Sequence, residues 1–126
     1  MTRHNRIDRV DKLGQPFQVA ECGAESEAEL REMYGGFQPR AISQGLPPSH
    51  DEQLYCWISL LLERGDNFLA WQDGKPVGHA VLLPDPVRND GEYIFFVCQP
   101  YRNRGLGTVL TAMAMDKARE RGLKTV

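Results

Sequence analysis

Two arginines, two glycines and a threonine fall in the short stretch Arg102-Asn103-Arg104-Gly105-Leu106-Gly107-Thr108. It follows an apolar run, Glu92–Cys98 (EYIFFVC). After it comes a run of helical periodicity, Leu106–Arg121, with Leu106, Val109, Leu110 and Met113 on one face. A loop in this position suits an anion. The first N–H groups of a helix have no intrahelical partner and stand at the positive end of its dipole. Glycine removes the Cβ that would keep phosphate oxygens away from such amides. Arg102 and Arg104 add positive charge that packing alone does not require, and Thr108 adds a hydroxyl donor. The chemistry implied is recognition of a phosphate or pyrophosphate.

Other phosphate loops fit worse. A P-loop needs G-x-x-x-x-G-K-[ST], and no Gly-Lys-Ser/Thr follows here. A dinucleotide fingerprint needs a third glycine where this chain has Leu110. The alternative is a plain glycine turn joining a strand to a helix.

The loop must be held by the elements around it. Phe17–Cys22 alternates as a strand. Ser26 and Glu29 have capping-box spacing before a helix that Gly35 and Gly36 stop. Phe37–Pro48 reads as a loop. Ser49 and Glu52 repeat the capping pattern before a helix carrying Leu54, Trp57, Ile58 and Leu61 and ending near Gly65. Asn67–Gln72 and Pro76–Leu83 are strands joined at Asp73-Gly74, a strong hairpin signal. Pro84–Gly91 is a turn-rich connection, and the apolar Glu92–Cys98 is expected to be the central strand. Lys117, Arg119 and Arg121 suit the C-terminal end of the last helix, and Leu123–Val126 reads as the start of a further strand. The fold class is therefore α/β, in the order β-α-α-β-β-β-α-(β). Strand-helix-strand connections call for at least one parallel pair in a mixed, partly antiparallel sheet.

At this point the loop resembles a known family. Arg102-x-x-Gly105-x-Gly107 is similar to the Q/R-x-x-G-x-G/A signature of the GNAT N-acetyltransferases, with Val97 ending the strand before it, Tyr101 just before the arginine and Leu110 in the helix. The element order from Phe17 to Val126 is similar too. The resemblance implies acetyl-CoA as cofactor, with its pyrophosphate on the amides of Arg102, Asn103, Arg104, Gly105, Leu106, Gly107 and Thr108. It implies that the pantetheine arm lies beside the strand backbone of Phe95, Phe96, Val97 and Cys98, and that the Val97 amide polarises the thioester carbonyl.

The reaction implied is direct attack by a primary amine of a small molecule or protein, so a base or water chain must take a proton. Glu92 is the first candidate, His79 the second, each set against an ordinary reading as a strand-end glutamate or a buried histidine. A covalent route through Cys98 is conceivable, but no His–Asp pair is identifiable beside it. Tyr55, Trp57 and the loop Phe37–Pro48 fall where the family shapes its acceptor pocket. The family continues through further strands and a helix that carries a thiolate-protonating tyrosine, and Tyr34, Tyr55, Tyr93 and Tyr101 do not match its position. The pattern is thus C-terminally incomplete; a truncated chain is the first expectation, and a partner subunit or a second copy completing the sheet is the next. A non-catalytic acyl-CoA-binding module is the rival reading.

Bulk properties agree with one domain over residues 1–126. Hydrophobic residues make up 41% and charged residues 25%, with a net charge of −2. That balance gives no broad basic field for nucleic acid or an anionic membrane. No apolar run approaches a membrane span. Residues 1–15 read as a flexible polar segment carrying Arg3, Arg6, Arg9 and Lys12, without a signal-peptide core. Cys22, Cys56 and Cys98 are odd in number and widely spaced, which suggests reduced thiols in the cytoplasm and no metal site.

Overall fold

Every residue of Asp66–Gln72 is buried, and the sheet is built around this strand. The computed structural model describes residues 6–37 and 45–126; most of the expected loop Phe37–Pro48 lies outside them. In chain order the elements are β1 (Ile7–Val10), β2 (Pro16–Cys22), α1 (Glu27–Gly35), α2 (Asp51–Arg64), β3 (Asp66–Gln72), β4 (Lys75–Asp85), β5 (Asp90–Val97) and α3 (Leu106–Glu120). The five strands lie in the order β1-β2-β3-β4-β5.

β3 is buried on both sides because helices cover both faces of the sheet. Its side chains alternate. Phe68 and Ala70 pack with Leu106, Leu110 and Ala114 of α3. Leu69 and Trp71 pack with Leu30 and Tyr34 of α1 and Leu54 and Ile58 of α2. The β3–β4 turn has Asp73 at φ 55° and Gly74 at φ 76°, the left-handed pair that an Asp-Gly hairpin needs. Arg121, just past α3, pairs with both oxygens of Asp66 at 2.5 and 2.6 Å, fixing the helix over the sheet.

The expected parallel pairing is confined, among the described residues, to one bridge between Asp90 and Thr125; all strand pairs are antiparallel. The reason is geometric. Two helices separate β2 from β3, so the chain runs down one and back along the other before the next strand begins. Only α3 is a single crossover. After it, the Lys124 amide donates to Asn89 O at 2.9 Å and the Gly91 amide to Thr125 O at 3.0 Å. These contacts reach only the start of β5.

Three further expectations change. Glu92–Cys98 is not central: β5 has β4 as its only neighbouring strand among those described. Its apolar residues have other uses. Phe96 and Val97 enter the two cores, while Tyr93 and Phe95 stack at 5.8 Å. Next, residues 7–10 are not a flexible start. They pair with β2 from Ile7↔Val19 to Val10↔Pro16. The Arg6 guanidinium lies 3.8 Å over the Trp71 ring and helps to hold this edge. Lastly, the capping box expected at Ser26 does not form, and the N-cap of α2 is His50 in place of Ser49. No side chain caps α1 at Ser26, and Glu29 instead accepts a 2.6 Å bond from Trp71 Nε1. α2 starts at Asp51 with His50 as its uncapped N-cap.

Candidate functional site

A cleft of about 890 Å³ opens between the outer edge of β5 and the N-terminus of α3. Its strand side follows from the ladder. The Cys98 amide donates to Val77 O at 2.8 Å, so that amide faces β4. Backbone groups alternate along an antiparallel strand. Val97, opposite Gly78, therefore turns its N–H and C=O away from β4, and Phe95 does the same two residues earlier. Arg102 Nε takes up the outward Val97 carbonyl at 2.7 Å. Its guanidinium also lies 5.5 Å from the Phe37 ring centre. Val97 lines the cleft, and its amide lies on the same outward edge as that carbonyl.

The helix side is the loop 98–105. Tyr101 is buried and its hydroxyl donates to Asp73 Oδ2 at 3.0 Å, anchoring the loop on the β3–β4 turn. Asn103 and Gly105 have φ of 63° and 98°. Glycine is required at Gly105, the N-cap of α3, where the chain turns left-handed. The helix ladder begins with the Val109 amide donating to Gly105 O at 3.2 Å. The amides before it, through Thr108, have no intrahelical acceptor, and no side chain caps them. Gly107 is small for a reason the sequence did not show: a Cβ there would sit 2.8 Å from Phe95 Cε2.

The two arginines have the packing roles that the sequence reading denied them. Arg102 ties the strand end as described. Arg104 lies 5.3 Å over the Tyr101 ring and 3.8 Å from Asp11 Oδ2. Asp11 is a buried hub in the β1–β2 turn. Its Oδ1 accepts the Leu13 and Gln15 amides at 2.8 and 2.9 Å, and its Oδ2 accepts Gln72 Nε2 at 2.9 Å. Burial alone would raise its pKa, but the bonds from Gln72, Gln15 and Leu13 and the charge of Arg104 outweigh it, and the carboxyl is held below its usual range. The next residue, Lys12, donates its amide to Arg104 O at 2.9 Å and lines the cleft. Sequence reasoning missed it. The signal was Asp11-x-x-Gly14, a turn pattern with Gly14 at φ 81°, between two short strands.

Phe96, Val97, Arg102, Asn103, Gly105, Leu106, Gly107 and Thr108 line the cleft together. Cys98 and Arg104 do not border it. Glu92 is exposed and lies five residues from Val97, roughly 17 Å along the strand. Cys98 packs against both cores, and burial raises its thiol pKa despite nearby Lys75 and Arg102. It is therefore a thiol, not a thiolate, at neutral pH. Tyr93 Oη shares a 2.7 Å hydrogen bond with Thr111 Oγ1, and burial raises its pKa too. Trp57 packs edge-on against Phe96 at 5.8 Å, and Tyr55 carries Arg31 over its ring at 4.2 Å; neither lines the cleft.

His79 is not a base poised for a substrate. It is fully buried, and its pKa is pushed down to about 3 by burial. Asn67 Nδ2 donates to Leu61 O at 2.8 Å and Gly65 O at 3.1 Å, which leaves Asn67 Oδ1 as an acceptor. His79 Nε2, 2.8 Å from that oxygen, must carry the proton. Its Nδ1 then accepts the Tyr34 hydroxyl at 2.7 Å. Both ring nitrogens are used in holding α1, β3 and β4 together.

The sequence pattern of the family described as "Acetyltransferase (GNAT) family" matches residues 28–126. The chain belongs to the GNAT acetyltransferase family. Solved GNAT structures share its fold. The GNAT domain of S. lividans PAT superposes with a TM-score of 0.76 at 15% identity, covering 94% of this chain and 74% of that one. A ribosomal-protein-alanine N-acetyltransferase from Brucella melitensis biovar Abortus 2308 gives 0.60 at 21% identity, covering 86% and 76%. AAC(6')-Iy, solved with the bisubstrate analog CoA-S-monomethyl-acetylneamine, gives 0.63 at 18% identity, covering 86% and 76%. Such identities speak for the fold of this GNAT chain, and family membership speaks for acyl transfer in general. No helix among the described residues is long and apolar enough to cross a membrane, and no group of three His, Cys, Asp or Glu there could hold a metal ion.

Proposed function

We propose that this GNAT chain transfers an acetyl group from acetyl-CoA to a primary amine by direct attack, in a cytoplasmic setting. The observation that carries the reading is the shared cleft: one wall is the outward backbone edge of β5 at Val97, the other the uncapped N-terminus of α3. Residues of this chain fit the cofactor. The amides of Gly105, Leu106, Gly107 and Thr108 suit its pyrophosphate, and the outward edge at Phe95 and Val97 suits its amide-bearing arm. Bound there, the cofactor supplies the activated thioester.

The chain's part is positioning and polarisation. The Val97 N–H would donate to the thioester oxygen as negative charge develops on it. Arg102 holds the Val97 carbonyl and so keeps that peptide plane fixed. Cys98 stays protonated and outside the cleft, which favours direct transfer over an acyl-enzyme. With His79 saturated and Glu92 distant, the amine's proton passes to solvent at the open mouth. Phe37, Leu46 and Phe96 line the side left for the acceptor.

The rival reading is a binding module without turnover. It gains from the lack of any His, Asp or Glu among the described residues lining the cleft. Calorimetric titration with acetyl-CoA, followed by thiol release in the presence of an amine panel, separates the two. Saturable binding with thiol release supports transfer. Binding without release for any amine leaves the module, and no binding by folded chain sinks both.

A further inference from the structure

We infer that the β1–β2 turn is part of the cofactor site, with Lys12 binding a phosphate of the cofactor and Asp11 positioning it. The inference rests on the acetyl-CoA reading above and adds a segment outside the matched residues 28–126. Lys12 lines the cleft alongside Gly105, Leu106, Gly107 and Thr108. The stem of Lys12 runs past the N-cap of α3: its Cγ and Cε lie 3.7 Å from where a Gly105 side chain would begin. The Lys12 side chain is exposed, and no carboxylate among the described residues pairs with it. The adjacent Asp11 carboxylate is turned inward onto Gln72 and Arg104. An unpaired ammonium beside a set of uncapped helix amides makes one positive concavity, whose complement is a phosphate.

The placement of Lys12 is built, not incidental. Its amide bonds Arg104 O at 2.9 Å, so the turn and the phosphate loop are stitched backbone to backbone. Asp11 holds both sides of that seam. It accepts the Leu13 and Gln15 amides of its own turn and faces Arg104 of the loop. A buried carboxylate with this many partners is costly to leave unpaired, so the turn has little freedom to carry Lys12 elsewhere.

The test is calorimetric titration of the full chain with CoA and with dephospho-CoA at low ionic strength, for the parent, Lys12→Met and Lys12→Arg. Lys12→Met is expected to weaken binding about three- to tenfold, with thermal unfolding unchanged, and Lys12→Arg to stay near the parent. The loss should shrink at high salt. A loss for CoA alone assigns Lys12 to the 3′-phosphate, and a loss for both ligands assigns it to the pyrophosphate. Asp11→Asn should also weaken binding, but add little once Lys12 is Met; a purely structural aspartate would give additive losses. If the parent binds CoA and Lys12→Met binds equally well, the inference is overturned while the acetyl-CoA reading stands. If the parent does not bind, both fall.

Discussion

The two faces of the sheet treat polar groups in opposite ways. Under α1 and α2, the chain Leu61 O, Asn67, His79, Tyr34 pairs every donor with an acceptor and is closed from water. At the N-terminus of α3, amides, the outward edge of β5 and the Lys12 ammonium meet an open cleft. Buried polar groups left unpaired are expensive, so a saturated network reads as structure. Unpaired groups tolerated beside a cleft read as a place for a ligand. The residue type alone does not tell the two apart: a histidine is the structural member here, and glycines and a lysine border the cleft.

Asn67→Leu breaks the closed face hardest. It leaves the buried His79 Nε2–H without a partner and takes the Asn67 bond from the Leu61 and Gly65 carbonyls, of which Leu61 O keeps the Gly65 amide, for an expected loss of about 3 kcal/mol in urea unfolding. Acetyl-CoA affinity of the folded fraction should not change. An effect of opposite kind, lost binding with intact stability, would mean the two faces are coupled.

Acid attacks the same face. Unfolded, the His79 ring protonates near pH 6.5; folded, only near about 3. Between those values the unfolded state holds the extra proton, so stability falls as pH falls. By pH 4.5 the cost is roughly 2–3 kcal/mol, read as a lower urea midpoint. Asp11, depressed in the folded state, adds loss in the same direction at still lower pH. His79→Gln should lack the slope between pH 6.5 and 5; if it keeps that slope, another group carries it.

Gly107→Val tests the open face. Phe95 is 47% exposed and can swing away from the new side chain, so stability should change little. Acetyl-CoA affinity should drop by about tenfold or more, ~1.4 kcal/mol, in calorimetry. Combining it with Phe95→Ala should relieve crowding without restoring affinity. Restored affinity would show that glycine serves the ring and not the ligand.

The smallest effect belongs to Cys98→Ala. Turnover measured by thiol release should stay within about twofold, since the protonated thiol lies outside the cleft. A large fall in turnover at unchanged stability would revive the covalent route.

The loop at Arg102–Thr108 could be read from the sequence because its determinants are local: glycines at fixed spacing, an apolar strand before, a periodic helix after. The helices and the β3–β4 hairpin could be read for the same reason. β1 could not, because all four of its residues are exposed and no apolar alternation marks it. It exists through edge pairing and contacts such as Arg6 with Trp71, far away in the chain. Arg104 looked free of packing duties because its partner Asp11 lies near the other end of the chain. The capping box at Ser26 did not form, and its Glu29 bonds Trp71, a residue 42 positions away that local spacing does not reveal. Position along β5 was misjudged because cleft-facing aromatics and core residues are equally apolar on paper.

One consequence of the alternating ladder on β5 concerns time and not energy. The Phe95 and Val97 amides point away from β4, while those of Phe96 and Cys98 point into it. Deuterium should therefore enter this stretch in a sawtooth, fast at odd positions and slow at even ones, although Phe95, Phe96 and Val97 share one strand and Cys98 follows it directly. A molecule lying along that edge would flatten the teeth, so the exchange profile of a single strand is a clock for occupancy of the cleft.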